Sequence, residues 1–180
     1  MSAIDFDRDI ILDYEGYLNG NQVIIKELSL LSLRNSSGKT YMFKPNHPMN
    51  YQPDKLRRHV RYCSRNLNQI PYEAGDTSYS LLAELQVLLP MFCKRVLCKG
   101  WRKCEFLANF FNIPVVDLTS IGCPTFKVLN QRYGKDGSGY CNFHIQSGNY
   151  HCSQYKSKLM AEFLFDLANQ KPGENKIQTP

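Results

Sequence analysis

The chain has 180 residues, 22 Lys plus Arg against 16 Asp plus Glu, 43% hydrophobic and 12% aromatic residues, a balance that excludes a disordered chain, a collagen and a coiled coil. Residues 1–170 suit one domain, able to bury roughly 70% of its unfolded surface without disulfide staples, and the polar stretch 171–180 reads as a disordered tail. With no long apolar run and an acidic, signal-free stretch from Met1 to Asp9, the expectation is no membrane contact and a cytoplasmic or nuclear location.

In chain order, the run from Asp9 to Gly16 reads as a strand, and Gly20-Asn21 supplies a turn into a second strand from Gln22 to Leu33. Asn35-Ser36-Ser37-Gly38 is a second turn, and Lys39 to Lys44 a third strand that Pro45 and Pro48 end. The spacing predicts a helix over Tyr51 to Arg65, then a stronger one capped by Asp76-Thr77-Ser78 and closed by Pro90, with Leu81, Leu82, Leu85, Leu88 and Leu89 at helical spacing. A short apolar strand from Arg95 to Cys98 leads through Gly100 into a helix over Trp101 to Phe111. Asn112-Ile113-Pro114 breaks it, and Val115 to Leu118 makes a fifth strand. A short helix near Phe126 to Leu129, a Gly-bearing loop from Gln131 to Gly148, and a last helix from Cys152 to Ala168 complete the chain. Three antiparallel strands followed by two parallel ones in one five-stranded mixed sheet flanked by helices is an α/β architecture, and its element order is that of a ribonuclease H-like domain.

Asp13-x-Glu15 falls where the first strand ends, and alternation sends both carboxylates to one face. Such a pair repels unless a cation lies between its members, and it begins the metal site of nucleases that use two divalent ions. A polar strand end is the plainer alternative. Here the chain resembles the exonucleases with four acidic residues and a histidine, the DEDDh group. The first strand is similar to that group's first motif, Val23 to Leu30 to its second strand, and Asn68 to Glu73, more loosely, to the segment before its second helix. Leu97 to Leu107 falls at the second acidic motif and His151 to Lys156 at the third, so the resemblance spans Asp9 to about Ala168. It implies Asp13, Glu15 and His151 as a remnant catalytic set. At the two remaining aspartate positions, however, stand Lys103 and Lys156. Two negative and two positive groups have no electrostatic reason to hold two divalent ions, so the expected site is degenerate, with lysine neutralising Asp13 and Glu15 directly. The alternative is an active 3′–5′ exonuclease using Mg2+ or Mn2+, with Glu105 or Asp117 recruited.

Cys141-x2-His144-x7-Cys152 places three soft or borderline ligands on a Gly-bearing loop that enters the last helix. Seven Cys, an odd number outside a secreted framework, leave thiols, packing or a metal as their uses. Zinc takes thiolate and imidazole in a closed four-ligand structural site, so a fourth ligand is wanted. Cys123 is one candidate; a buried Cys pair with a surface His is the alternative without metal. Within the nuclease superfamily the chain also resembles the Maelstrom domain, in the Cys-x2-His, the following Cys, the stretch Cys98-Lys99-Gly100-x2-Lys103 and Gly122-Cys123-Pro124-x4-Leu129. That resemblance implies Zn2+ as a structural cofactor on Glu27, Cys141, His144 and Cys152, with Glu27 ranked above Cys123. It also implies an RNA-silencing, mobile-element or viral setting.

The net charge of +6 is concentrated. Lys55, Arg57, Arg58, Arg61 and Arg65 cluster with Tyr62, and Lys94, Arg95, Lys99, Arg102 and Lys103 with Trp101. Basic residues interleaved with aromatics suit phosphate contact and base stacking, so single-stranded RNA through Arg57, Arg58, Arg61, Arg95, Lys99 and Trp101 is the expected partner, with a protein partner or a merely solvated face as alternatives.

Overall fold

The computed structural model describes residues 3–20, 22–134, 139–144 and 151–170. The expectations for Asn21, for residues 135–138 and 145–148 of the Gly-bearing loop and for the tail 171–180 fall outside them, and the first residues of that loop belong to a helix that runs to Tyr133. Strands β1 (Asp9–Asn19), β2 (Gln22–Ser32) and β3 (Gly38–Met42) precede helices α1 (Asp54–Asn66) and α2 (Leu81–Phe92). Strand β4 (Arg95–Cys98), helix α3 (Trp101–Phe111), strand β5 (Val115–Asp117), helix α4 (Phe126–Tyr133) and helix α5 (Ser153–Asn169) follow. The strands form one five-stranded sheet in the order β3-β2-β1-β4-β5. The first three pair antiparallel, and β4 and β5 run parallel to β1.

Helices cover both faces, so the strands carry apolar residues on both sides rather than alternating with solvent. Ile11, Leu31 and Leu97 pack with Leu159, Met160 and Leu164 of α5 and Leu129 of α4. Leu12, Leu28 and Val96 point the other way, onto Leu82, Leu85 and Leu89 of α2 and Leu107 and Phe111 of α3. Helix α1 buries Leu56, Val60 and Cys63, at helical spacing, against Tyr17 and Tyr72.

Strand β1 runs past Glu15 to Asn19 instead of ending there, β3 stops at Met42 and α4 continues to Tyr133; three further boundaries differ from expectation for local reasons. Pro90 lies inside α2, which continues to Phe92. A proline in the last turn removes a single amide donor, and its fixed φ is already helical. Residues 78–81 form a turn in which the amide of Leu81 donates to the carbonyl of Ser78, so the helix starts after Ser80 with no side-chain cap. At β5, the Asp117 carboxylate accepts from the Thr119 amide and turns Leu118–Ile121 into a 3-10 segment, which shortens the strand.

The β1–β2 ladder is interrupted between Glu15 and Gly16, which pair with Glu27 and Ile25 and leave Lys26 as an extra residue. A bulge re-aims the side chain it carries. Gly16 is required there, because a Cβ would overlap the Ile24 carbonyl. The Lys26 side chain is fully buried, and its ammonium donates to the carbonyls of Phe43, Tyr72 and Ala74, the last two at 2.7 Å. Burial lowers its pKa to about 8, yet three acceptors match the three hydrogens of the charged form. The group ties β2 to the chain beyond β3 and to the loop that follows α1. Lys26→Met should leave those carbonyls without their donor and lower the unfolding free energy by about 2–4 kcal/mol, measured by urea denaturation.

Candidate functional site

Two clusters share the α5 face of the sheet. Glu15 and Glu27 are directly paired across β1 and β2, and each is met by a different part of the first turns of α5.

Around Glu27 lie Cys141, His144 and Cys152, all four buried, with one ligand atom from each within 4.8 Å of all the others. Cys141 Sγ is 3.2 Å from His144 Nδ1, Cys152 Sγ is 3.5 Å from Glu27 Oε1, and His144 Nδ1 is 3.5 Å from the same oxygen. A tetrahedron of ligands bonded at about 2.0–2.3 Å has edges of about 3.3–3.8 Å, close to these three separations, with all four ligand atoms inside 4.8 Å of one another. The imidazole is oriented for this use: its Nε2 hydrogen donates to the Asn68 carbonyl at 2.8 Å, which leaves the Nδ1 lone pair facing the cluster. Glu27 Oε2 accepts from the Ser153 amide at 2.9 Å, in the first turn of α5, where the helix dipole favours negative charge.

Without a metal the set draws in protons instead. Burial would lower the pKa of His144, but hydrogen bonding to Cys152 and Glu27 raises it to about 10. The Cys152 thiol is pushed far up, first by its contact with Cys141 and then by burial. A site that collects protons in this way is one that a divalent cation can occupy by displacing them. The residues present therefore fit a metal ion: two thiols, one imidazole and one carboxylate, dry and preorganised.

Around Glu15 the arrangement is different. Lys103 Nζ, at the start of α3, donates to Asp13 Oδ1 at 2.7 Å, Glu15 Oε1 at 3.0 Å and the Tyr14 carbonyl at 2.5 Å. Lys156 Nζ, one turn into α5 from Cys152, lies 2.5 Å from the same Glu15 oxygen. Burial works against the Glu15 carboxylate, but the two ammonium groups outweigh it and hold its pKa down at about 2. Asp13 is fully buried, and there desolvation wins and its pKa rises. Its Oδ2 atom has no hydrogen-bond partner among the described residues. Burial opposes the charge on Lys103 as well, and Asp13 and Glu15 overcome it, raising its pKa. His151 sits in the field of Lys156, Glu15 and Lys103, with its pKa lowered chiefly by burial.

Glu105 and Asp117, the reserve carboxylates, are not brought to this cluster. Glu105 is exposed on α3, and Asp117 accepts from the amides of Gly100 and Thr119. Cys123 is likewise outside the Glu27 cluster; its thiol faces the Pro124 carbonyl.

The residues expected to contact RNA divide into separate groups. Arg58 and Arg61 are exposed on α1, along with Lys55, Tyr62 and Arg65, while Arg57 pairs with Asp54. Lys99 donates to the Cys123 carbonyl at 2.9 Å, and Trp101 is 64% exposed at the start of α3. Arg95 stands apart from the others, in contact with a buried carboxylate. It lies at the opposite end of β4 from Lys99, its Nε and Nη2 donating to the two oxygens of buried Asp9 at 3.1 and 2.5 Å. A bidentate, mostly buried pair of this kind fastens the start of β4 to the start of β1, and Arg95 Nη2 also donates to the Ala3 carbonyl at 2.8 Å, which holds the chain before β1 to the sheet.

Two contributors carried no sequence signal. Asn68 acts through its backbone carbonyl and Ser153 through its amide, and neither use depends on the side chain. Comparison with protein-family models finds no match, and comparison with curated proteins finds none either.

Proposed function

We propose that the chain is a ribonuclease H-like domain, stabilised by zinc, in which two lysines have replaced the hydrolytic metal ions, and that it binds single-stranded RNA without cutting it. The observation that carries this reading is the contact of Lys103 Nζ with both Asp13 and Glu15, reinforced by Lys156 on Glu15. Two carboxylates met by two ammonium groups sum to no net charge with which to attract divalent ions. They also hold no water between ions to activate.

The zinc part rests on donor chemistry. Two thiolates with an imidazole are a soft set that favours Zn2+ over Mg2+ or Ca2+, and a carboxylate as fourth ligand closes the site. Zinc there would supply a cross-link and no reaction. Cys152 and Ser153 fasten the start of α5 to Glu27 in the middle of the sheet, and Cys141 and His144 fasten the preceding loop. The same helix turn carries Lys156 to Glu15, so the cross-link also positions the charge cluster.

The RNA part rests on the stripe of Lys55, Arg58, Arg61 and Arg65 with exposed Tyr62 on the outer face of α1. Basic side chains at helical spacing follow a phosphate backbone, and the affinity they give falls steeply with salt. Purified protein, incubated with end-labelled single-stranded RNA and Mg2+ or Mn2+, should retard the strand on a native gel and leave its length unchanged. Divalent-ion-dependent shortening that vanishes in Glu15→Ala would establish the exonuclease alternative instead.

A further inference from the structure

On the face of the sheet opposite the two carboxylates, α3 presents Phe106 and Phe110 one turn apart. Their rings are stacked, with centroids 5.3 Å apart and planes at 24°. Phe106 is backed by Tyr14 at 5.0 Å, so the aromatic surface is fixed from beneath. These two rings, with Tyr72 and Tyr79, wall a cavity of about 520 Å³ beside the tip of the β1–β2 hairpin. Val23, Phe106 and Phe110 continue it into a shallower groove of about 440 Å³ that ends at Arg102 and Glu105. Tyr79 is pinned through its hydroxyl oxygen, which accepts from the Ile25 amide at 3.0 Å.

Four side-chain amides line the same cavity, those of Asn19, Gln22, Asn46 and Gln52, together with Pro45 and His47. Each side-chain amide offers donors and an acceptor in one plane, and none of these four has a hydrogen-bond partner among the described residues. Flat aromatic faces and uncommitted amides are the two elements by which unpaired bases are held, by stacking and by their hydrogen-bonding edges. An apolar peptide groove would need neither the amides nor the flat rings. Helix α1, which carries the basic stripe, begins two residues beyond Gln52.

We propose that this cavity holds an unpaired nucleobase of single-stranded RNA, stacked on Phe106 and Phe110 and hydrogen-bonded by the amides of Asn46 and Gln52. The proposal rests on the reading of the chain as an RNA-binding domain and adds a second, base-dependent element to it.

The test compares a fluorescein-labelled single-stranded RNA of about twelve nucleotides with the same strand carrying abasic central positions, by fluorescence anisotropy at one salt concentration. Stacking on an aromatic contributes enough that loss of the central bases should weaken binding by roughly 5- to 100-fold. Phe110→Leu keeps the apolar volume and removes the flat face. Asn46→Ala with Gln52→Ala removes one exposed and one half-buried amide without touching the core. Both variants should lose affinity for the intact strand and bind the abasic strand as the wild type does, with unchanged melting temperature for the amide pair. Should Phe110→Leu fail to fold, the amide pair carries the test alone. Equal wild-type affinity for intact and abasic strands overturns the base cavity while leaving phosphate-led RNA binding in place. Amide variants that bind the intact strand as tightly as the wild type also overturn it. Absence of wild-type binding to either strand at low salt overturns the RNA-binding reading itself.

Discussion

Cys152→Ser should lower the melting temperature by roughly 10 °C or more, and an excess of a strong chelator should do the same to the wild type. Binding free energies of about 10–16 kcal/mol for structural zinc compare with about 5–15 kcal/mol for the whole stability of a domain. A zinc ion held between α5 and β2 would thus supply a term as large as the net stability. Substituting one thiolate leaves the other three ligands in place, so the loss is less than the full binding energy. It also leaves Glu27 buried with weaker compensation. Cys123→Ser is the control, since that residue is buried but lies outside the cluster; it should keep its metal. Calorimetry with elemental analysis checks both points: about one zinc per chain in the wild type and in Cys123→Ser, and less in Cys152→Ser. A wild-type melting curve indifferent to chelator would remove zinc from the account and leave a buried proton-sharing cluster in its place.

How much of this was legible beforehand depended on whether the signal was local. The β1–β2 hairpin and the limits of β4 and α3 follow from turn residues and strand-like runs, whereas the joining of β4 and β5 to the first hairpin is expected from the element order of a ribonuclease H-like domain, since β4 pairs with β1 and not with the strand before it. Pro90 misled because a proline's effect depends on which turn of the helix it occupies. Cys141, His144 and Cys152 were readable as a ligand group because they lie within twelve residues. Glu27 was not readable from spacing, being far away on β2, and entered only through a resemblance. Lys103 and Lys156 could be placed by counting along motifs, but that their ammonium groups meet on one oxygen of Glu15 depends on the first turns of α3 and α5 converging there. Arg95 is the opposite case. Its neighbours in sequence are basic, whereas its neighbour in space is Asp9. The aromatic cavity went unseen because Phe106 and Phe110 at i and i+4 read equally well as a core stripe, and only the fold leaves part of their faces open.

Lys103→Met should destabilise the domain by about 3–5 kcal/mol, the usual consequence of leaving a buried charge without its partner. Lys103 is the only partner of Asp13 among the described hydrogen bonds, and Asp13 is fully buried with one oxygen already unsatisfied. Glu15 keeps Lys156. The deficit should shrink on acidification, and the sign follows from the pKa directions. In the wild type the folded value of Glu15 is held at about 2 against 4.5 in the reference state, so its contribution is fully present above 4.5 and is lost as pH falls through about 2. In the variant Asp13, without its ammonium partner, takes up a proton at higher pH still, which relieves the penalty before Glu15 begins to lose its contribution, and the two curves converge. Lys103→Asp with Lys156→Asp carries the same logic further. Four carboxylates then face one another, unstable at neutral pH without a cation. Mg2+ or Mn2+ should raise the melting temperature of that variant by binding only its folded state, while the wild type is unaffected. If the wild type were stabilised by either ion as strongly as the double variant, Lys103 and Lys156 would not be occupying the place of the metals.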